Sequence, residues 1–222
     1  MSTIQVAIDG PAASGKSSAA RLLAHELGYL YLDSGAVYRS VTLAGLRGLD
    51  FGAEELERNL DELALKLTPH PDRAGCSVYM CSEDVSDIIR DPGVAAAVAP
   101  VAADPRVRKW VTAFLRNLAA AADVVMDGRD IGSVVLPHAA FKFFITASLE
   151  VRARRHLSDL EAVGKNSTLK DAMESLARRD HSDLTRIDGP LVEAADAILI
   201  DNSNLSLEET LKDMSQRIRA HC

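Results

Sequence analysis

The chain has 222 residues, 47% of them hydrophobic, and a formal net charge of −7. That length holds one α/β domain with insertions or two small domains, and the apolar share is ordinary for a globular protein with a sizeable core. The acidic balance argues against a nucleic-acid binder, which ordinarily carries a basic excess.

The three cysteines, Cys76, Cys81 and Cys222, are too few and too oddly numbered for a disulfide framework, and reduced thiols in a cytoplasm are the expected state. No second Cys/His pair joins Cys76 and Cys81 as zinc ligands. Met1-Ser2-Thr3 puts no basic segment ahead of an apolar run, so no signal peptide is expected. The longest apolar stretch, residues 94–103, is broken by Pro100 and falls far short of the ~20 residues of a membrane helix.

In chain order, an apolar strand over residues 4–9 leads into Gly10-Pro11-Ala12-Ala13-Ser14-Gly15-Lys16-Ser17, which fits the phosphate-loop pattern G-x-x-x-x-G-K-S/T. Its glycines let successive backbone N–H groups turn inward onto phosphate oxygens. The helix expected over residues 17–27, with Ser18 in its first turn, adds free N–H groups and a positive dipole end. Lys16 suits the β- and γ-phosphates of a nucleoside triphosphate, and the Ser17 hydroxyl suits Mg²⁺. The bland alternative is a chance glycine-rich turn, but strand and helix flank it where the pattern requires them.

Gly28 suits a helix stop, and residues 29–32 read as a short buried strand. Asp33 and Ser34 then cap a helix that carries Val41, Ala44 and Leu46 and fades at Gly48. Leu56, Leu60, Leu63 and Leu67 predict one amphipathic helix over residues 53–67. A turn-rich stretch, 68–75, and a short strand, 77–80, follow. Residues 34–107 interrupt the strand–helix alternation and are expected to form an insertion over the nucleotide site. The next helix starts at Asp104-Pro105, with Trp110, Val111, Phe114 and Leu118 on its buried side; Trp110 is read as packing, not as a base-stacking platform. Strands at 124–126 and 141–146, a helix from Ser148, a helix over 169–184, a strand over 197–201 and a capped helix over 206–219 complete the chain. Alternating strands and helices imply a parallel sheet covered on both faces, with ligands beyond the carboxyl ends of its strands. The phosphate loop, Asp33-Ser34 and Asp127-Gly128-Arg129-Asp130 all follow strands and are expected at one edge.

Arg39, Arg108 and Arg129 have no acid partner nearby in the sequence. Arg179, Asp183 and Arg186, spaced i, i+4, i+7, share a helix face if the helix persists that far. Arg152, Arg154 and Arg155 lie just inside another helix. Solvated surface arginines are the plain alternative for all three groups. Phosphoryl transfer to a nucleoside monophosphate gives them a purpose. The attacking phosphate, with a second pKa of ~6, is already ionised, so no base is needed. The obstacle is two anions in contact, and positive charge with positioning removes it.

The sequence resembles the bacterial cytidylate kinases, of the nucleoside-monophosphate kinase group of P-loop proteins. The resemblance is carried by residues 8–16, Asp33-Ser34-Gly35 with Tyr38-Arg39, Glu83-Asp84-Val85-Ser86, Pro105-Arg106-Val107-Arg108, Asp127-Gly128-Arg129-Asp130, and Arg179-Asp180 with Asp183 and Arg186. It implies a P-loop core (1–33 and 108–222), an inserted monophosphate-binding region (34–107) and a short helical lid (152–168). It implies that Arg108 and Asp130 read cytosine, that Ser34 touches the acceptor and that Asp183 holds a ribose hydroxyl. It also implies that Arg39, Arg129, Arg179 and Arg186 hold the acceptor phosphate and that Arg152 and Arg155 close over ATP. Asp127 is an outer-sphere Mg²⁺ partner or a cap. Two positions depart from the family pattern: Ala99, where many members carry a serine near the base, and His156, where the lid pattern carries arginine. The expectation is a cytoplasmic monomer acting on ATP and CMP or dCMP with Mg²⁺, without nucleic-acid or membrane partners. A kinase for UMP, AMP or a small alcohol, and a non-kinase P-loop NTPase, are the alternatives; an alcohol would also want a general base.

Overall fold

The computed structural model describes residues 3–70, 74–162 and 164–220. Part of the turn-rich stretch (71–73) and Cys222 therefore lie outside the described residues. β1 (Gln5–Asp9) is buried from Val6 onward and leads through the glycine-rich loop into α1 (Lys16–Leu27). Gly28, in the left-handed region, stops α1 as expected. β2 (Leu30–Asp33) runs directly into α2 (Ser34–Leu46), whose N-cap Asp33 accepts from the Ala36 N–H at 3.0 Å.

The segment after α2 departs from the expected long helix. α3 covers only Leu56–Asp61, and β3 (Lys66–Pro69) pairs antiparallel with β4 (Cys76–Met80), which also pairs with β5 (Glu83–Asp84). Ala64 adopts a left-handed φ of 46°, which ends the helical path. Leu65 and Leu67 are buried while Lys66 and Thr68 are exposed, a period of two. The leucine spacing served both periods, and pairing of Leu67 opposite Val78 decided it. A 3₁₀ turn (Ile88–Arg90) precedes α4 (Pro92–Ala103), which runs through Pro100 instead of breaking there.

α5 (Pro105–Ala121) is capped by Asp104, which accepts from the Arg106 N–H at 2.8 Å. Trp110 stacks on Phe114 with ring centroids 5.3 Å apart and donates to Asp61, so its role is packing. β6 (Val124–Gly128), a π-helical turn (Ile131–Val135), β7 (Phe141–Thr146), α6 (Leu149–Ala162), α7 (Leu169–Thr185), β8 (Ile198–Asp201) and α8 (Leu207–Arg219) follow. The capping box at Ser206 and Glu209 is formed. α7 ends at Thr185, so Arg186 is not on its face: it sits at the C-cap with extended backbone.

The result is an α/β fold: a five-stranded parallel sheet, order β2-β6-β1-β7-β8, flanked by helices. In its register Asp33 lies opposite Asp127 and Asp9 opposite Gly128, which brings three strand ends to one edge. One apolar cluster joins Ile8 and Met126 of the sheet and Leu23 of α1 to Val41, Leu60, Val78 and Val107. A second, smaller one ties Ala12 of the glycine-rich loop to Ala153 of α6 and Ala172 and Leu176 of α7. Among the described residues no helix is long and apolar enough to cross a membrane.

Phe143, on β7 beside the central strand, is 1% exposed. Phe143→Ala is expected to lose about 3–5 kcal/mol in a denaturant titration, the usual cost of emptying a phenylalanine site. A loss under about 1 kcal/mol would show that the sheet face is not packed as described.

Candidate active site

The glycine-rich loop is held in shape by its neighbours. Gly10 has φ 154°, and a Cβ there would run into the carbonyl of Ile145 on β7, so only glycine lets the loop leave the sheet at this point. Ala13 also sits at positive φ, 58°, a conformation that costs a non-glycine residue energy and persists only where the surroundings enforce it. No side chain caps α1, so its first N–H groups have no side-chain acceptor. The Lys16 ammonium is buried and donates to the Pro11 carbonyl at 3.1 Å, which keeps it curled over the loop.

Two arginines of α6 brace the loop from outside. Arg152 donates to the carbonyls of Ala12 (3.2 Å) and Ala147 (3.0 Å) and pairs with Asp180 at 2.7 Å. Arg155 donates to the Ser14 carbonyl (3.2 Å) and to Asn202, whose amide donates to the same carbonyl at 2.9 Å. Both arginines thus lie against the loop. Arg154 points to solvent and pairs with Glu150.

Carboxylates line the strand ends. Asp127 accepts from the Ser17 hydroxyl at 2.6 Å and the Tyr31 hydroxyl at 2.7 Å. Burial, then Asp33, raises the Asp127 pKa. The Ser34 hydroxyl, buried, donates to the Asp127 carbonyl at 2.8 Å. Asp9 accepts from the N–H groups of Ile131 and Gly132 at 2.8 and 2.7 Å, which fixes the turn that follows Asp130. Burial takes the Asp9 pKa up to about 6 against those two bonds.

The arginines expected to lack acid partners all have one in the fold. Arg39 pairs with Asp33 at 2.8 Å, Arg129 with Asp183 at 2.6 Å, and Arg108 with Asp130, both buried. Burial pushes Asp33 up, but the Arg39 and Arg90 guanidiniums outweigh it and hold its pKa below the ordinary value. Arg108 also stacks over the Tyr38 ring at 5.8 Å and donates to Ala102. Arg186, although off the helix, lies 3.6 Å from Asp130 and 3.7 Å from Asp183. Arg179 has no ion pair among the described residues and is open to solvent.

Electrostatics joins the two halves. The Lys16 pKa is lowered to about 7, by burial first and then by Arg129 and Arg179, with Asp127 and Asp183 opposing. Neighbouring protein that displaces part of its hydration, and then Arg129, also lower Arg179, although the residue stays exposed overall. A lysine from the loop and two arginines from distant segments therefore repel one another across a common space, an arrangement that a polyanion relieves.

The cytidylate kinase family model matches residues 6–220. The chain belongs to the cytidylate kinase family. The cytidylate kinase of Symbiobacterium thermophilum is 43% identical over 216 residues, 96% of this chain and 95% of its own length. That of Geobacillus thermodenitrificans is 46% identical over 208 residues, 93% and 92% of the two chains. A crystal structure of an uncharacterized protein from Eubacterium ventriosum aligns over 98% of this chain and 99% of its own at TM-score 0.53; with 13% identity it speaks for the fold alone.

In this cytidylate kinase family member, three polar residues near the loop were given no site role from sequence. Asp9 and Asn202 sit at strand ends, where a short polar side chain reads as a turn former. Tyr31 read as core, and its ring is buried while its hydroxyl reaches Asp127. The signal available was position alone: Asp9 is the last residue of β1 and Asn202 directly follows β8, at the edge where the loop lies.

An anion against Lys16 favours its charged form and so raises its pKa. Between about pH 7 and the ordinary 10.5, binding of a triphosphate must then take up protons. Calorimetric titration at pH 8 with a non-hydrolysable ATP analogue, repeated in buffers of different ionisation enthalpy, should show net uptake in the parent and none in Lys16→Met. Buffer-independent heats in the parent would contradict the assignment.

Proposed function

We infer that the protein transfers the γ-phosphoryl group of ATP to the 5′-phosphate of CMP and dCMP, yielding ADP and CDP or dCDP. The observation that carries this is the run of ion pairs from Arg129 through Asp183 (2.6 Å) and Arg186 (3.7 Å) to Asp130 (3.6 Å) and its buried partner Arg108, in a chain that also carries the glycine-rich loop with Lys16. The loop from Gly10 to Ser18 cradles the donor phosphates with its N–H groups, and Lys16 neutralises their charge. Arg152 and Arg155 keep the loop closed around them. Arg39, Arg129, Arg179 and Arg186 receive the acceptor phosphate. Asp33 and Asp183 hold three of these four in orientation before the acceptor arrives.

An oxygen of the acceptor phosphate forms the new bond to the γ-phosphorus as the bond to the β,γ-bridging oxygen breaks. No proton has to be removed first, because the acceptor is ionised at neutral pH. The arginines lower the repulsion between two anions and match the charge of the transition state.

Cytosine offers acceptors at O2 and N3 and a donor at its amine. Arg108 suits the first two and the Asp130 carboxylate suits the third, whereas uracil would set a carbonyl against that carboxylate. In this reading the Asp183 carboxylate accepts from a ribose hydroxyl, and Ser34 contacts the acceptor. Residues 34–107 form the acceptor-binding region in this reading, and 152–168 the lid.

A divalent ion fits the donors present. Ser17 and Asp127 give hard oxygens 2.6 Å apart, and no group of three or more His, Cys, Asp or Glu able to hold a metal occurs among the described residues. Such a site suits Mg²⁺, which keeps waters and takes further ligands from phosphates. When bound, Mg²⁺ supplies charge neutralisation on the β- and γ-phosphoryl oxygens. The reading includes a cytoplasmic monomer without nucleic-acid or membrane partners; the net charge of −7 supports the first of those exclusions.

ADP release measured with Mg-ATP and a panel of monophosphates should be fastest with CMP and dCMP. Equal rates with AMP, or release without any acceptor, would overturn the assignment. Asp130→Asn should lose most of the preference for CMP over UMP, roughly tenfold or more, because an amide can turn to pair with either base. Unchanged discrimination would place base reading elsewhere.

A further inference from the structure

After α7 ends at Thr185, residues 186–190 turn back across the Arg108–Asp130 pair. Gly189 sits at the crossing with φ 56°. A Cβ built there falls inside contact distance of both Arg108 Nη2 and Asp130 Oδ2. The turn is tied on both sides. Arg186 Nε donates to the Gly189 carbonyl at 2.5 Å, and the Leu191 N–H donates to the Asp183 carbonyl at 2.8 Å. The Leu191 side chain is buried, so the backbone has little room to retreat. The atoms in the way belong to two side-chain ends and none to backbone, so a Cβ would be accommodated by moving the pair and not by unfolding the turn.

We propose that Gly189 is a specificity-determining position: its bare Cα sets where the Arg108–Asp130 pair stands, and thereby how sharply CMP is told from UMP. This rests on the reading of that pair as the base-reading groups. The same turn carries Arg186, which links Asp130 to Asp183, so the base and ribose contacts are set by one short piece of backbone. A displaced pair leaves Lys16, Arg39, Arg129 and Arg179 where they are for the phosphates, but its donors and acceptor no longer match the cytosine edge. The loss is therefore expected in discrimination and in KM for CMP, not in use of ATP.

Alanine at a left-handed position also strains the backbone, so a control with that strain and no clash is needed. Gly28 supplies it: φ is 71°, nothing lies within 4 Å of a built Cβ, and it closes α1 at the end away from the loop. Gly189→Ala should lower the ratio of kcat/KM for CMP over UMP by about tenfold to a hundredfold, the scale expected when paired groups are misplaced by an ångström. KM for ATP should hold, and Gly28→Ala should keep the parent ratio. Gly189→Asn, which tolerates left-handed backbone better, should give the same loss if the alanine variant folds poorly. In an Asp130→Asn background, Gly189→Ala should change the ratio by less than about twofold, because the pair is already disabled. A parent ratio retained by Gly189→Ala and Gly189→Asn overturns the inference alone. So does an equal fall in CMP and UMP turnover, or the same fall in ratio in Gly28→Ala. A parent enzyme with no CMP preference overturns the base-reading assignment and this inference together.

Discussion

Lys16, Arg129 and Arg179 are like charges held within electrostatic reach of one another, and Lys16 is buried as well. A fold does not gather such groups for stability, since each raises the cost of keeping the others charged. The arrangement makes sense as one half of a complex whose other half is phosphate. Their neighbours fix two of these cations in place, the Pro11 carbonyl for Lys16 and Asp183 for Arg129, and in the proposed reading that leaves them close enough to share an anion.

The parallel sheet does much of that holding. Its register puts Asp33 opposite Asp127 and Asp9 beside Gly128, so carboxylates arrive at one edge at fixed spacing. Each has a separate task. Asp33 orients Arg39, Asp127 gathers Ser17 and Tyr31, and Asp9 fixes the turn behind Asp130. The glycine-rich loop has a second frame in α6 and the segment after β8, through Arg152, Arg155 and Asn202. In the proposed reading, donor and acceptor sides are thereby built on one base, as in-line transfer between two anions requires.

What the sequence made legible was local. The loop spacing, the strand ends and the identities of the arginines could be read from patterns a few residues long. Pairing could not, because it joins residues far apart: Arg129 meets Asp183 and Arg108 meets Asp130 only once the strands and helices between them have folded. The same cause turned the expected helix over 53–67 into a short helix and a strand. Its leucines satisfied two periods, and the partner strand settled the matter. Arg186 reached its place by a route the spacing did not foresee, through a turn past the helix end. Asp9 and Asn202 were invisible as site residues because a polar side chain at a strand end has many plain explanations.

The central claim is that one cationic space receives two phosphorylated nucleotides at once. The most direct measurement is the thermal midpoint of the protein with a cytidine and an adenosine joined through five phosphates, compared with ATP and CMP added together at equal concentration. The account predicts a larger upward shift with the joined compound, because it enters both halves with a single loss of freedom. A shift no greater than that given by ATP alone would contradict it.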